Sequence, residues 1–294
     1  MKKRLLVVGG TGLVGASLCR SFENAGWQVW GTFCSRPRPG LIHLDLAGLK
    51  PSLMEGMDGA YAVVASAITN IEKCFLEPDQ SRRVNVDGTI RLLRLMKDRG
   101  VFPVFLSTDY VFEGTRGNYR EEDERNPTTT YGRQKKEVED FILKNFEGFL
   151  LLRLGKVVGV RANDGTFLTE WANKLIQSKP IQAAEDQVCG WIALDDVAEA
   201  IRLLIETEKT GVYHLTQAES CSRWELARRL CRHLKVGPEL AVPCRINELG
   251  LRERRPLNTS LNGEKFAGQT HCQLMSLDRI LKKIATACGE KQGD

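Results

Sequence analysis

The sequence predicts an α/β fold: a doubly wound parallel sheet with helices on both faces, followed by a smaller C-terminal region. Three observations predict it. Short runs rich in valine, isoleucine and leucine alternate with helical patterns over the first 154 residues, and that alternation builds βαβ units. A glycine cluster stands between the first run and the first helix. The chain has 294 residues, which at ~150 residues per domain amounts to about two domains.

The elements follow in order. Residues 4–8 (Arg-Leu-Leu-Val-Val) read as a buried strand ending at Gly9. Residues 13–25 read as a helix stopped by Gly26. Strands are expected at 28–33, 41–44 and 60–66. A helix over 81–98 places Val84, Ile90, Leu93 and Met96 inward and stops at Gly100. Strand 101–107, helix 131–144 and strand 149–154 complete the regular part. Beyond it, 195–207 reads as a helix, 211–215 as a strand that returns to the sheet, and 224–234 and 277–287 as amphipathic helices. The domain reading is therefore 1–155, with a returning segment near 190–216, and a smaller region over 156–294. The polar stretch 113–130, with Gly114, Gly117 and Pro127, is long for a structureless connection and reads as a functional loop.

Composition excludes several classes. Hydrophobic residues make up 42% and charged residues 27%, an ordinary globular balance. No apolar run approaches the ~18 residues of a membrane helix, so no membrane partner is expected. The net charge of +5 is too weak to argue for nucleic acid and suits small anions. Nine cysteines without a C-x-x-C pair point to reduced thiols and a cytoplasmic chain. The basic start Met1-Lys2-Lys3-Arg4 resembles a signal peptide, but glycines break the apolar stretch and no A-x-A site follows. His43, His214, His233 and His271 show no metal-ligand spacing.

Gly9-Gly10-Thr11-Gly12-Leu13-Val14-Gly15 follows the first strand and opens the first helix. That is the context of a Rossmann-type dinucleotide site, in which Gly9, Gly12, Leu13, Val14 and Gly15 bring backbone N–H groups to a pyrophosphate. An NAD site places an acidic residue about 20 positions on, against the ribose 2′-hydroxyl. Nothing acidic lies between Glu23 and Asp45 here; the second strand runs into Ser35, Arg36 and Arg38. Guanidinium groups match a phosphate, so the expected cofactor is NADP(H), with these three residues on its 2′-phosphate.

The chemical end is carried by Ser107-Thr108-Asp109-Tyr110-Val111-Phe112 after the fifth strand and by Tyr131-Gly132-Arg133-Gln134-Lys135. Tyr131 and Lys135 stand at i and i+4 on one helix face. An ammonium ~6 Å from a phenol, at an effective dielectric of ~20, favours phenolate by roughly 2.8 kcal/mol, which moves a tyrosine from about 10 toward ~8. Tyr131 then suits a general acid, and the Thr108 hydroxyl is placed to hold a substrate carbonyl.

These residues together resemble the extended, nucleotide-sugar branch of the short-chain dehydrogenase/reductase superfamily, and within it the dTDP-4-dehydrorhamnose reductases. The resemblance also takes in Val84-Asn85-Val86-Asp87-Gly88-Thr89, Glu113-Gly114, Tyr119 with Glu121, Asp186-Gln187 and Arg255-Pro256-Leu257-Asn258. It implies an NADPH-dependent reductase of a nucleotide-linked 4-keto sugar, with Thr108, Tyr131 and Lys135 catalytic. It places Ala65 and Ala67 along the cofactor and Asp45 and Leu46 beside the adenine. Tyr110, Arg255 and Asn258 fall toward the substrate, and Asn85 toward ordering the central helix. It leaves room for a homodimer formed through the helices at 84–98 and 131–144. Lys156 replaces a common tryptophan, Val188-Cys189-Gly190-Trp191 replaces Gly-x-Pro-Thr, and Thr130 replaces an asparagine. These departures lie toward the substrate and leave the sugar unassigned. Two alternatives share the fold. One is an epimerase or dehydratase, which the arginines after the second strand disfavour. The other is a non-catalytic NADP-binding regulator resembling the methionine adenosyltransferase β subunit.

Overall fold

Leu5, Leu6, Val7 and Val8 are wholly buried. A strand covered on both faces must lie in the middle of a sheet with helices above and below. The computed structural model describes residues 3–49 and 55–289, so Met1 and Lys2 of the basic start lie outside the described residues. Along the chain the elements are β1 (Arg4–Val8), α1 (Leu13–Asn24), β2 (Gln28–Phe33), β3 (Ile42–His43), β4 (Tyr61–Val64), α2 (Ile71–Leu76), α3 (Pro78–Arg82), α4 (Thr89–Asp98), β5 (Phe102–Thr108), α5 (Thr130–Asn145) and β6 (Leu150–Leu154). They continue as β7 (Lys156–Val158), α6 (Phe167–Ile176), β8 (Ile181–Ala184), β9 (Val188–Ala193), α7 (Leu194–Glu206), β10 (Gly211–Leu215), β11 (Ser220–Ser222), α8 (Arg223–Leu234), β12 (Ala241–Cys244), α9 (Glu264–Thr270) and α10 (Leu277–Gly289).

The main sheet has seven strands in the order β10-β6-β5-β4-β1-β2-β3. β1 pairs in parallel with β2 and with β4, with Leu5 opposite Val29 on one side and Tyr61 on the other. The strand order reverses at β1, and ligands of such sheets bind at that switch point, beyond the carboxyl ends of the strands. Smaller sheets join β11, β9 and β7, and pair β12 with β8.

The chain divides into two compact units. The first comprises the stretches up to Val111, Arg125–Arg153 and Ala198–Tyr213. Its core stacks Leu6, Val8, Ala62, Val64, Phe105 and Leu151 of the strands on Leu92, Leu93, Met96, Val138 and Ile142 of α4 and α5. The second comprises Phe112–Glu124, Leu154–Val197 and the chain from His214 on. It has its own core, built on Trp191 of β9, Leu168 and Leu175 of α6, Leu226 and Leu230 of α8 and Ile280 and Ile284 of α10.

The single helix expected over 81–98 is instead α3, a π-helical stretch at Arg83–Gly88, and α4. A π turn widens the helix by one residue and often marks a functional site. Two close contacts fix it. A Cβ on Gly88 would come within 2.2 Å of the Leu46 carbonyl oxygen, and Asn85 is 2% exposed and fully engaged. The nine cysteines are free thiols. Among the described residues no helix is long and apolar enough to cross a membrane.

Candidate functional site

The glycine loop closes on itself. The Gly12 N–H donates to the Gly9 carbonyl at 2.9 Å, and the Gly9 N–H donates to Thr32 Oγ1 at 3.0 Å. Gly9 has φ +94°, which favours glycine. A Cβ on Gly15 would lie 2.1 Å from the Gly9 carbonyl oxygen, so α1 can start hard against the loop only with glycine there. Gly12 caps α1 without a side chain, and the first turn carries no acid. The first N–H groups of α1, at Leu13 and Val14, therefore sit at a positive helix end that an anion can fill.

Ser35, Arg36 and Arg38 lie on the exposed bend directly after β2. Among the described residues neither arginine makes an ion pair, and Arg38 is engaged only through its carbonyl, which accepts from the Leu41 N–H. Asp45 accepts a hydrogen bond from the Ala47 N–H at 2.9 Å, and Leu46 is buried. Ala65 and Ala67 are half-buried after β4, and the Ala65 N–H donates to the Val8 carbonyl at 2.9 Å. Asn85 clamps the peptide of Ile68: its Oδ1 accepts from the Ile68 N–H at 2.7 Å and its Nδ2 donates to the Ile68 carbonyl at 2.9 Å. The same amide donates to Gln134 Oε1 at 2.8 Å on α5. Asn85 thus ties the segment after β4 to the helix of Tyr131 and Lys135.

Thr108, Tyr131 and Lys135 are all in the first unit and all at least nine-tenths buried. The Thr108 side chain lies within reach of the Tyr131 phenol and works to lower its pKa. Thr108 Oγ1 donates to Asp109 at 2.9 Å and accepts from the Tyr110 N–H at 3.2 Å. Close packing sets Tyr131: a Cβ on its neighbour Gly132 would sit 2.2 Å from the Tyr110 carbonyl oxygen. Tyr110 and Tyr131 pack with Cys74 in one buried cluster. Lys135 Nζ donates to the Leu106 carbonyl at 2.8 Å and lies 4.5 Å from the Phe105 ring centroid and 6.0 Å from that of Tyr131.

The protonation balance differs from the expectation. Burial, followed by the charge of Asp109, pushes the Tyr131 phenol up rather than toward ~8. Burial pulls Lys135 down to about 8, against the opposing charge of Glu139. The ammonium is spent on the Leu106 carbonyl and the Phe105 ring, so desolvation of the phenolate outweighs the lysine's attraction. The tyrosine is a protonated phenol at neutral pH.

Sequence reasoning missed the group behind Lys135. Glu139 is wholly buried and Arg153 is 2% exposed. Arg153 Nε donates to both Glu139 oxygens at 3.2 Å, and its Nη2 to one of them at 2.9 Å. Arg125 Nη1 donates to Glu139 at 3.0 Å, and Ser107 Oγ donates to its other oxygen. The available signal was an arginine inside an apolar strand, Leu-Leu-Leu-Arg-Leu, and an acid one helical turn beyond Lys135.

In the second unit the predicted residues are structurally committed. Tyr119 accepts from the N–H groups of Gly114 and Thr115 at 3.0 and 3.1 Å and stacks on Phe112 at 4.4 Å. Burial raises its phenol, and these backbone donors outweigh that and lower it. Glu121 accepts from the His214 N–H. Asn258 donates to the Arg116 carbonyl at 3.4 Å and accepts from Ser260 Oγ at 2.8 Å. Arg255 is 8% exposed and donates to the Glu253 carbonyl at 3.0 Å. Among the described residues no cluster of histidine, cysteine or acidic side chains suits a metal.

Comparison with known proteins adds four findings. The family described as RmlD substrate binding domain matches residues 2–288. Methionine adenosyltransferase 2 subunit beta of Danio rerio is 26% identical over 270 residues, covering 88% of this chain and 82% of that protein. A hypothetical dTDP-4-dehydrorhamnose reductase from Sulfolobus tokodaii superposes with a TM-score of 0.81 at 28% identity, over 94% of this chain and 98% of that one. The fold is shared with dTDP-4-dehydrorhamnose reductase of Bacillus anthracis str. Ames, solved in complex with NADP, with a TM-score of 0.84 at 21% identity over 97% and 99% of the two chains.

Proposed function

Because the chain belongs to the RmlD substrate binding domain family, we propose that it is a reductase that uses NADPH to reduce a ketone on a nucleotide-linked sugar. One observation carries this reading: Thr108, Tyr131 and Lys135 meet in one buried site of the first unit, with a phenol that is protonated at neutral pH.

The residues present fit NADP. The Gly9–Gly15 loop leaves no space for a Cβ at Gly15, and two arginines without ion pairs among the described residues follow β2 where an NAD site would carry an acid. The loop and the N-terminus of α1 would hold the pyrophosphate, Ser35, Arg36 and Arg38 the 2′-phosphate, and Lys135 the nicotinamide ribose. Asp45, Leu46, Ala65 and Ala67 would line the adenosine and the bridge to it. Held there, the cofactor would supply a hydride for the carbonyl carbon. Tyr131 gives its phenolic proton to the carbonyl oxygen, so C=O becomes CH–OH as the C–H and O–H bonds form. Thr108 orients that oxygen by a hydrogen bond. Tyr110, Arg255 and Asn258 are proposed on the substrate side, Asn258 by shaping the 114–119 loop that it staples.

The test is NADPH oxidation by the purified chain against a panel of 4-keto nucleotide sugars, with NADH alongside. Turnover with NADPH, and at least about ten-fold slower turnover with NADH, is the expected result. A second reading is favoured by the curated relatives, several of which are methionine adenosyltransferase 2 subunit beta. On that reading the same NADP site serves a regulatory subunit. Tight NADPH binding without turnover on any sugar, together with co-purification of a synthetase, would establish it.

A further inference from the structure

Glu139 has no part in the hydride chemistry, yet it is a wholly buried carboxylate. Removing a carboxylate from water costs several kcal/mol, and a well-packed apolar group of similar size is commonly as stable. Its location supplies a different reason for its presence. Glu139 lies one helical turn beyond Lys135, on the same face of α5. It accepts from Ser107, the residue before Thr108 on β5. It is gripped by Arg153 of β6 through three contacts and by Arg125, which precedes α5. Arg125 Nη2 also reaches Asp140 at 2.8 Å. The strand that carries Thr108 and the helix that carries Tyr131 and Lys135 are therefore pinned together at one carboxylate.

We propose that Glu139 is a positioning residue: it holds Lys135 in register with Thr108 and supplies the counter-charge for the Lys135 ammonium. This rests on the reading that Lys135 holds the cofactor ribose. Among the described residues, no other carboxylate acts on that ammonium. β5 offers it the Leu106 carbonyl and the Phe105 ring, its own helix offers Tyr131, and α2 contributes Cys74. The nearby Asp109 acts on Tyr131 and is engaged with Thr108. Burial works against the proton on Lys135, and Glu139 is the first of the charges that retain it.

The test follows NADPH affinity by fluorescence between about pH 5.5 and 10, beside thermal unfolding, for the wild-type chain, Glu139→Gln and Arg153→Lys. Wild-type affinity should weaken as Lys135 loses its proton. In Glu139→Gln that weakening should come about one to two pH units lower, with affinity at pH 8 reduced about ten-fold or more. Arg153→Lys keeps the charge pair and should follow the wild-type profile. If Glu139→Gln does not fold, Glu139→Gln with Arg153→Met removes both buried charges at similar volume and is measured in its place, with Arg153→Met as its reference. A folded variant without the Glu139 charge whose profile superimposes on that of its reference, wild type for Glu139→Gln and Arg153→Met for the double variant, overturns the proposal alone. A wild-type chain that binds no NADPH at any pH overturns the cofactor reading and this proposal with it.

Discussion

Tyr131 and Lys135 are set apart by what burial does to each. The phenol keeps its proton, as the proposed reduction requires of its acid. Tyr131→Phe should therefore leave NADPH affinity nearly unchanged and lower single-turnover rate by ~10²-fold or more. Near-normal turnover on a verified substrate would move the proton donor elsewhere. Lys135 is a stability cost. Its pKa falls from the ordinary 10.5 to about 8 on folding. Between those values the folded chain holds fewer protons than the unfolded chain, so the lysine's contribution to stability rises with pH through that window and is worst below about pH 8. The cost at pH 7 is about 3 kcal/mol, and loss of the bond to Leu106 would give back ~1. Lys135→Met should therefore stabilise the chain at pH 7 by about 2 kcal/mol, with no gain left at pH 10, while weakening NADPH binding. Denaturant unfolding at the two pH values checks both parts. The tyrosine–lysine pair was legible because i,i+4 spacing is decided by the helix itself. The direction of the tyrosine shift was not, because it depends on burial and on Asp109, neither of which the spacing contains.

At the level of elements, the loop between β1 and α1 is the tightest local constraint. Gly15→Ala places a methyl group 2.1 Å from a backbone oxygen that cannot swing away. NADPH affinity should fall by more than about ten-fold, with the sheet intact by far-UV circular dichroism. Such a turn can be read from sequence because strand, glycines and helix are contiguous. The π-helical stretch after α3 was read as plain helix, since periodicity over 81–98 does not register one widened turn. It is fixed by the close approach of Gly88 to Leu46 and by the clamp of Asn85 on Ile68, a partner 17 residues away. Asn85→Ala would leave the Ile68 peptide and the Gln134 amide short of partners. Stability should drop by about 2 kcal/mol or more, and hydrogen exchange should quicken at residues 65–70. Equal exchange in the two proteins would mean the clamp does not order that segment. The short strands β7, β9 and β11 escaped the sequence reading for a related reason: β9 pairs in parallel with β7 but antiparallel with β11, and runs of 3–6 residues carry too little pattern to announce two partners.

At the level of the whole molecule, the first unit is assembled from three separate stretches, the last ending at Tyr213. β10 covers one side of β6, whose Leu150, Leu151 and Leu152 are wholly buried. α7 adds Ile201 and Leu204, also wholly buried. A fragment ending at residue 155 should therefore leave the β6 edge open and aggregate, and it should show no cooperative unfolding; a soluble, NADPH-binding fragment would contradict this. The full chain faces the same gap in time. During synthesis, β1 to β6 leave the ribosome well before β10 does. At ~5–20 residues per second, the sheet waits several seconds for its last strand. For that interval the nascent chain holds the whole Gly9–Gly15 loop and an unsealed edge at once, which makes this window the one in which a chaperone would decide how much of the protein survives.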